Sequence, residues 1–412
     1  MDPRPAPAAQ DFVSPDRGAP AYDFTTLVDR TAMGSSKWTA MHAAAPGGAA
    51  GEGIAPFSVA DLDLPNAPEI TDGLIEALQG GLVLGYTVTT PEYVEAVTGW
   101  FARRHGWTVD PEWIVLSPGI IPAFSLAIRA LTASGDGVIV QTPGYYPFFD
   151  AIALNDRRVV RNPLVQHEGR FRIDFEELER QARDPRTTML LFCSPHNPTG
   201  RVWEEGELAE VARIVVDNDL VLVSDEIHCD LALPGHRHTV AASLGEDIAQ
   251  RALVLTSPSK SFNIAGMATS NVIIPSAALR ERFARELLAT GHQNPNILGA
   301  LACQLAYTRG EAWLDALIEL IAHNQQVVRD FCAERLPQVI VADLEGTYLQ
   351  WLDLRGLGLS AEELARRNIE AGLFFDEGGI FGPEGEGFER LVIACPTDTL
   401  LAGLERMRRA YA

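Results

Sequence analysis

Lysine is almost absent from this chain of 412 residues. Of its 33 lysine and arginine residues, only Lys37 and Lys260 are lysines. Arginine stays protonated in proteins and cannot act as an amine nucleophile. If the protein carries out amine chemistry through a lysine, there are therefore only two candidates.

Cysteine and long apolar runs are also scarce. The chain has five cysteines, none of them in a C-x-x-C pair: Cys193, Cys229, Cys303, Cys332 and Cys395. This pattern argues against a disulfide framework and against a bound metal such as zinc, and it fits a reducing compartment. No apolar run is long enough for a transmembrane helix, and the N-terminus lacks the apolar core of a signal peptide. We therefore expect a cytoplasmic protein without a membrane partner.

Basic residues are fewer than acidic ones, 33 against 55, which gives a net charge of −22. Binding to a nucleic acid or to an anionic membrane surface needs a basic face that neutralises phosphates. The charge balance argues against both kinds of partner. Apolar residues make up 47% of the chain, as in globular proteins generally.

The length and the sequence pattern predict two domains and an N-terminal tail. Residues 1–21 are rich in proline and small residues, which favours a flexible tail. Residues 76–309 form the predicted large domain. Residues 22–75 and 310–412, where long helical patterns alternate with short strands, form the predicted smaller α+β domain.

Short apolar runs alternate with helical patterns through the large domain. The strand-like runs cover residues 113–116, 137–141, 189–193, 220–224, 253–256 and 271–274. Strands that alternate with helices indicate βαβ units, so we predict an α/β fold with a mostly parallel sheet. In such sheets the ligand site lies beyond the carboxyl ends of the strands.

Polar residues follow five of these runs at the point where each one ends. They lie in the segments 117–121, 142–145, 194–200, 225–228 and 257–260. Lys260 stands in the last of them, behind an apolar run and beside the hydroxyls of Ser257 and Ser259. This setting is typical of a reactive group at the end of a buried strand.

If Lys260 forms a Schiff base, a cofactor with an aldehyde and an anionic group would explain its surroundings. An anion binds to hydroxyls and to free backbone amides at a helix N-terminus. Ser257, Ser259 and the amides of Ile120 and Ile121 are the candidates for this role.

Other residues at the strand ends match a flat, nitrogen-containing ring and an amino-acid substrate. Asp225 could pair with a protonated ring nitrogen, Tyr145 could cover the ring, and the Asn197 amide could donate to a ring oxygen. Arg390, inside an apolar strand, could bind a substrate carboxylate in a bidentate manner.

Each of these residues also has a structural interpretation. Asp225 could cap a helix, Asn197 could serve only a turn, and Tyr145 could be a core residue. Arg390 could pair with Glu389 or Asp376. Histidines such as His196 and His228 are more often structural than catalytic.

Several segments together resemble the fold-type I pyridoxal-phosphate enzymes, and among them the cystathionine β-lyase (carbon–sulfur lyase) subgroup related to class I/II aminotransferases. The resemblance covers roughly residues 22–412. The matching segments are Val59-Ala-Asp61-Leu-Asp63, Gly85-Tyr86-Thr87, Thr142-Pro-Gly-Tyr145, Ser194-Pro-His-Asn197-Pro-Thr-Gly200, Ser224-Asp225-Glu-Ile-His228, Ser257-Pro-Ser259-Lys260-Ser-Phe-Asn263, Thr347-Tyr-Leu349 and Gly387-Phe-Glu-Arg390-Leu391.

The resemblance implies a large domain with a mostly parallel seven-stranded sheet, and it implies pyridoxal 5′-phosphate as the cofactor. Lys260 would hold the cofactor covalently and act as the base at the substrate Cα. Arg390 would bind the substrate carboxylate, together with Asn197. The residues implied around the cofactor are Ile120, Ile121, Tyr145, Asn197, Asp225, His228, Ser257 and Ser259. Tyr86 would reach the phosphate and substrate region of a neighbouring subunit in a homodimer, and it could protonate the leaving thiolate there.

Three positions depart from patterns common among the related aminotransferases. A phosphate-binding arginine often stands eight residues after the lysine, where this chain has Ala268; the lyase subgroup shares this feature. Val392 and Thr397 replace an asparagine and an arginine that are frequent near the carboxylate site. Ala268 favours a lyase over an aminotransferase, whereas Val392 and Thr397 leave the exact substrate open.

The predicted activity is α,β-elimination from an S-substituted L-cysteine such as cystathionine, with a thiol, pyruvate and ammonia as products. Three alternatives remain at this point. They are an aminotransferase, a biosynthetic enzyme on the same scaffold that acts on a cysteine conjugate, and a binding protein without catalysis.

Overall fold

The structure, a computed structural model, describes residues 22–48, 50–51, 53–167 and 169–411. The predicted tail at 1–21 lies outside the described residues. The described strands are Ile114–Ser117 (β1), Gly137–Thr142 (β2), Arg158–Pro163 (β3), Val165–His167 (β4), Arg170–Arg172 (β5), Thr187–Cys193 (β6), Val221–Asp225 (β7), Ala252–Thr256 (β8), Ser270–Ile273 (β9), Ile340–Val341 (β10), Leu349–Asp353 (β11), Asp376–Glu377 (β12) and Phe388–Val392 (β13).

The α-helices surround these strands. The described α-helices are Ser36–Ala44 (α1), Pro68–Gln79 (α2), Pro91–Trp100 (α3), Ile120–Leu131 (α4), Tyr146–Leu154 (α5), Phe175–Ala182 (α6), Glu205–Asp217 (α7), Glu246–Ala249 (α8), Pro258–Ser261 (α9), Ala277–Ala289 (α10), Ile297–Arg309 (α11), Glu311–Arg335 (α12), Ala361–Glu370 (α13) and Thr397–Tyr411 (α14). None of them combines the length and the apolar character that a membrane span requires.

The main sheet has seven strands in the order β1-β9-β8-β7-β6-β2-β3. The strands from β8 to β3 are parallel, whereas β9 is antiparallel to both of its neighbours, β8 and β1. As a result β1 runs in the same direction as the parallel strands. This confirms the predicted α/β fold with a mostly parallel seven-stranded sheet.

The central strands are apolar on both faces because helices cover the sheet on each side. On one face, Phe124 and Ile128 of α4 belong to one buried cluster with Val140, Leu191 and Leu253 of the sheet. Such runs without polar alternation are typical of buried parallel strands. They explain why the sequence pattern located β2, β6, β7 and β8.

A second, antiparallel sheet has the order β10-β11-β13-β12. Helices α12, α13 and α14 pack around it, as expected for the predicted α+β domain. A large apolar cluster contains Leu190 of the main sheet together with Trp351 of β11 and Leu320 of α12. The domain boundaries given above, at residues 76 and 309, stay a prediction.

Candidate active site

A cleft of about 230 Å³ opens at the edge of the main sheet where the parallel strands end. Asp225 is the last residue of β7 and Cys193 the last of β6, and both line it. The cleft brings together eight residues proposed from the sequence: Ile120, Ile121, Tyr145, Asn197, Asp225, His228, Ser259 and Lys260. The polar residues that follow the strands in sequence therefore lie together in one cleft, as expected for a parallel sheet.

Lys260 lies in the single-turn helix α9, which follows β8 directly. Its Nζ donates a hydrogen bond to the backbone carbonyl of Ala60 at 2.7 Å. Burial lowers the pKa of Lys260 to about 8, and the charge of Arg390 acts in the same direction, while the carboxylate of Asp61 opposes them. An amine with this pKa is available in its neutral, nucleophilic form close to neutral pH.

Asp225 is fully buried at the end of β7. Its Oδ1 accepts a hydrogen bond from the amide of Ile227 at 3.1 Å, so it supports a local turn and does not cap a helix as the structural interpretation had it. Burial raises the pKa of Asp225 to about 7, and this effect exceeds the opposing influences of the Ile227 amide and of Lys260. A carboxyl group in this environment gains from a cationic partner, such as a protonated ring nitrogen.

The N-terminus of α4 and the start of α9 border the cleft. Ile120 and Ile121 open α4, and amides in a first helical turn lack acceptors within their helix. Ser259 lines the cleft, with its Oγ 2.6 Å from that of Ser257. The Ser257 hydroxyl donates to the carbonyl of Thr269 at 2.7 Å and caps α9. Ser257 therefore shapes the turn, while Ser259, Ile120 and Ile121 line the cleft itself.

Arg390 is buried on β13 and has polar partners on two sides. Its Nη1 donates to Asn197 Oδ1 at 2.8 Å, and its Nη2 donates to Asp376 Oδ2 at 2.5 Å. The guanidinium also lies 4.7 Å from the centre of the Phe381 ring. Its buried Nε has no hydrogen-bond partner among the described residues. The pairing with Asp376 foreseen in the structural interpretation is present, and it coexists with the contact to Asn197.

The turn that carries Asn197 is fixed against the segment between β10 and β11. Gly200 ends this turn with a φ of +73°, and a Cβ there would lie 2.4 Å from Leu344 Cδ1. Its carbonyl accepts hydrogen bonds from the amides of Glu345 and Gly346, each at 2.9 Å. Only glycine meets both demands, because its φ is positive and a side chain has no space. The glycine thus anchors Asn197 beside Arg390.

Tyr145 and His228 complete the walls of the cleft. Burial raises the pKa of Tyr145 well above its usual value, so the phenol stays neutral. Burial also lowers the pKa of His228 far below its usual range, helped by the charges of Lys260 and Arg390. The buried Nδ1 of His228 has no hydrogen-bond partner among the described residues, which leaves it available to a ligand.

His196 does not line the cleft. Its Nδ1 lies 2.8 Å from Thr199 Oγ1 and its ring packs edge-on against Trp203. Burial lowers the pKa of His196 to about 3, so this side chain is neutral. The structural interpretation applies to this histidine.

Tyr86 stands apart from the cleft residues of its own chain. Its side chain is 98% exposed, in a segment that also exposes Val83, Leu84 and Val88. An exposed group of large apolar side chains is typical of a protein–protein contact.

The sequence did not reveal the role of Lys37. This lysine is buried, with Nζ 3.1 Å from Asp61 Oδ1 and 2.8 Å from Asp63 Oδ2. Trp38 donates from Nε1 to Asp63 Oδ1 at 3.0 Å. The ion-pair cluster joins α1 to the segment that contains Ala60. Two closely spaced aspartates and only two lysines in the chain were the signal that could have suggested it.

Comparisons with known proteins agree with this geometry. A family model described as aminotransferase class I and II matches residues 53–406. The chain is 41% identical to cystathionine beta-lyase PatB of Bacillus subtilis, over 87% of this chain and 92% of the relative.

Solved structures give the same result. Cystalysin from Treponema denticola, which contains pyridoxal 5′-phosphate, superimposes with a TM-score of 0.92 at 44% identity, over 94% of this chain and 98% of cystalysin. A PLP-bound C-S lyase from Staphylococcus hominis gives a TM-score of 0.87 at 30% identity, over 96% and 99% of the two chains. This chain therefore belongs to the class I and II aminotransferase family of pyridoxal-phosphate enzymes and, within it, to the carbon–sulfur lyases.

Proposed function

We propose that this protein catalyses α,β-elimination from an S-substituted L-cysteine. The reaction breaks the Cα–H and Cβ–S bonds of the substrate. With one water, the products are a thiol, pyruvate and ammonia. The names of the relatives support this reaction, since they include a cystathionine beta-lyase and a C-S lyase. The proposal rests on one observation: Lys260, Asp225 and Asn197 line the same cleft. Asn197 also accepts a hydrogen bond from Arg390.

The residues present fit pyridoxal 5′-phosphate, the cofactor of the family. The amine of Lys260 is suited to hold its aldehyde carbon, and the Asp225 carboxylate to pair with its ring nitrogen. Ser257, Ser259 and the amides that open α4 are the proposed phosphate site. Tyr145, His228 and Asn197 surround the ring. When bound, pyridoxal phosphate withdraws the electron pair that is released at the substrate Cα.

Lys260 is the proposed base that removes the Cα proton. The lowered pKa of its amine, about 8, leaves roughly a tenth of it neutral at pH 7, far more than for an ordinary lysine. Arg390 is the proposed carboxylate-binding residue, and its contacts to Asn197 and Phe381 fix the plane of the guanidinium. A carboxylate bound to a fixed guanidinium orients the Cα–H bond towards the base.

The proposed active unit is a homodimer with a shared site. Tyr86 is exposed on one subunit together with three apolar neighbours, so its phenol is free to enter the cleft of a second subunit. There it would contact the phosphate and donate a proton to the leaving thiolate. All five cysteines are free and buried, which fits a reducing compartment such as the cytoplasm.

The competing activity is transamination, which uses the same lysine and the same cofactor. In this chain Ala268, eight residues after Lys260, lines the cleft, so no cation is supplied at this position. A transaminase returns the amino group to a 2-oxo acid, whereas a lyase releases it as ammonia. The ratio of these products separates the two activities.

The test is a panel of cysteine S-conjugates incubated with the holoenzyme. The panel would contain S-methyl, S-benzyl and cystathionine-type substrates, with the thiol and pyruvate quantified together. We expect equal amounts of the two products, and none from the Lys260→Ala variant. The proposal fails if the panel gives no thiol and added 2-oxo acids are aminated instead.

A further inference from the structure

Asp376 is placed where it competes for the proposed carboxylate site. Its Oδ2 lies 2.5 Å from Arg390 Nη2, and the two residues are directly opposite each other on neighbouring strands, β12 and β13. The Arg390 side chain is 3% exposed and that of Asp376 is 13% exposed. The guanidinium therefore already has an anionic partner from its own chain.

The same carboxylate oxygen also binds the backbone that covers the lysine. Asp376 Oδ2 accepts from the amide of Val59 at 2.9 Å. Val59 has a φ of 55°, a conformation that is unfavourable for a β-branched residue and needs support from its surroundings. The next residue, Ala60, accepts the hydrogen bond from Lys260. Asp376 is thus linked to both ends of the proposed site.

The charge of Arg390 influences two groups that line the cleft. It lowers the pKa of Lys260 and of His228, although it is hydrogen-bonded to neither. The anion at Asp376 offsets this charge at close range. An incoming carboxylate meets a guanidinium that is already neutralised on one side, so its gain in electrostatic energy is smaller than at an unpaired arginine.

We propose that Asp376 sets the affinity of the site for carboxylates, because it occupies Arg390 until the substrate carboxylate displaces it or shares the guanidinium with it. This proposal rests on the proposed role of Arg390 as the carboxylate-binding residue. Asp376 acts through Arg390 and is therefore a positioning residue that weakens ground-state binding. Weaker ground-state binding raises KM without lowering kcat.

The decisive variant is Asp376→Asn. The asparagine keeps an oxygen for the Val59 amide and loses the negative charge, so the turn at Val59 keeps its support. Glu377→Gln is the matched control, since it removes the same charge from the neighbouring, exposed position on β12. Arg390→Ala serves as the second control, because it removes the group through which Asp376 acts.

The probe is 3-(methylthio)propanoate, which has no amino group and cannot undergo elimination. Its amide is the neutral reference ligand. Calorimetric titration of the holoenzyme should show the acid binding about tenfold more tightly to Asp376→Asn than to the wild type, with the amide unchanged. Glu377→Gln should stay within twofold of the wild type, and Arg390→Ala should lose the preference for the acid.

With a reactive cysteine conjugate, Asp376→Asn should lower KM by a similar factor and leave kcat unchanged or reduced. Equal or weaker binding of the acid by Asp376→Asn would overturn the proposal, as would a preference for the acid that survives in Arg390→Ala. The binding result does not depend on catalysis. A wild type that releases no thiol would therefore refute the proposed reaction and leave this measurement valid.

Discussion

Lys260 Nζ donates a hydrogen bond at 2.7 Å to the carbonyl of Ala60, a residue that lies 200 positions earlier in the chain. The hydroxyl of Tyr348 donates to the same carbonyl at 2.8 Å. The amine is thus held by a backbone atom of the N-terminal segment and not by a carboxylate side chain. A neutral partner does not raise the pKa of Lys260 as an ion pair would, so burial dominates.

Replacement of Lys260 tests its proposed role directly. Lys260→Ala should lower the rate of elimination at least about a thousandfold, because the chain loses both its attachment point for the cofactor and its base. The visible absorbance of the cofactor should change at the same time, and circular dichroism should show an unchanged fold. Lys260→Arg keeps the positive charge and should be equally inactive. Substantial activity in either variant would rule out Lys260 as the base.

The other lysine should affect stability and not the reaction. Lys37 is buried between Asp61 and Asp63, so Lys37→Met leaves these two carboxylates with Arg30 as their remaining cationic partner. Breaking a buried ion pair typically costs about 3–5 kcal/mol, and the remaining contacts of Arg30 should keep the loss at the lower end of that range. Chemical denaturation of the variant should show a loss of this order, while the cofactor absorbance at low temperature is retained. Unchanged stability would contradict the role of the cluster.

The pH dependence of stability should reveal Asp225. Its pKa is raised by burial to about 7, whereas the unfolded chain releases this proton near pH 4. Between these values the native state binds the proton that the unfolded state has lost, so Asp225 destabilises the cofactor-free protein as the pH rises. The stability gained by cofactor-free Asp225→Asn over the cofactor-free wild type should therefore grow as the pH rises from 5 and level off above pH 7, at an amount on the order of 4 kcal/mol.

With the cofactor bound, the wild type should be favoured over Asp225→Asn. A cationic ring nitrogen stabilises the Asp225 carboxylate, and the asparagine cannot replace that charge. The holo form of Asp225→Asn should lose the cofactor more readily on dialysis than the wild type. Parallel pH profiles for the two cofactor-free proteins would contradict a raised pKa for Asp225.

The sequence located residues that line the cleft because they follow strands that are apolar on both faces. Apolar runs such as those at β7 and β8 are easily recognised in the sequence. The polar residues that follow them, including Asp225 and Lys260, then lie at the same edge of the sheet. Strand β3 was not predicted, because it lies at the edge of the sheet and carries the partly exposed Arg158 and Arg161. Edge strands do not show the pattern of buried ones.

Contacts made by backbone atoms or between distant segments gave no signal in the sequence. The carbonyl that accepts from Lys260 belongs to an alanine, and any residue type offers the same atom. Asp376 was named only as one of two acids that could pair with Arg390. Asp376 pairs with Arg390 because the two residues lie opposite each other on β12 and β13. Glu389 precedes Arg390 on β13, and neighbouring residues on a strand point to opposite faces.

The protein should be more stable when the carboxyl group of Glu389 is replaced by an amide, as in Glu389→Gln. This carboxyl group is buried; Oε1 accepts from Asn368 Nδ2 at 2.9 Å, and Oε2 has no partner among the described residues. Burial, assisted by the charge of Glu377, raises its pKa well above the usual value. The native state therefore holds the proton, and stability falls as the pH rises above about 4.5 towards the raised pKa.

Glu389→Gln removes the pH-dependent loss of stability caused by the buried carboxyl group. Chemical denaturation at pH 7 should show a gain of about 1–2 kcal/mol in the free energy of unfolding. The difference should shrink as the pH falls towards 5. Glu386→Gln, at an exposed position nearby, makes the same change in charge and should have little effect. A variant at Glu389 that is less stable at pH 7 would show that the carboxyl is ionised in the native state.

A shared active site makes a prediction that single variants cannot test. Lys260→Ala and Tyr86→Ala should each be strongly impaired as homodimers. In a mixed dimer, one site combines the intact Lys260 of one subunit with the intact Tyr86 of the other, and the second site carries both defects. Random mixing places half of the subunits in mixed dimers, so the recovered activity should approach about one quarter of the wild type.

The two variants would be mixed at equal concentration, dissociated with mild denaturant and allowed to reassociate before the assay. Tyr86 is almost fully exposed in the single chain, so Tyr86→Ala should leave the fold of each subunit intact. Mixing without dissociation is the control and should recover little activity. If Tyr86 served the cleft of its own subunit, mixed dimers would carry no intact site, and the absence of recovery after verified exchange would refute the shared arrangement.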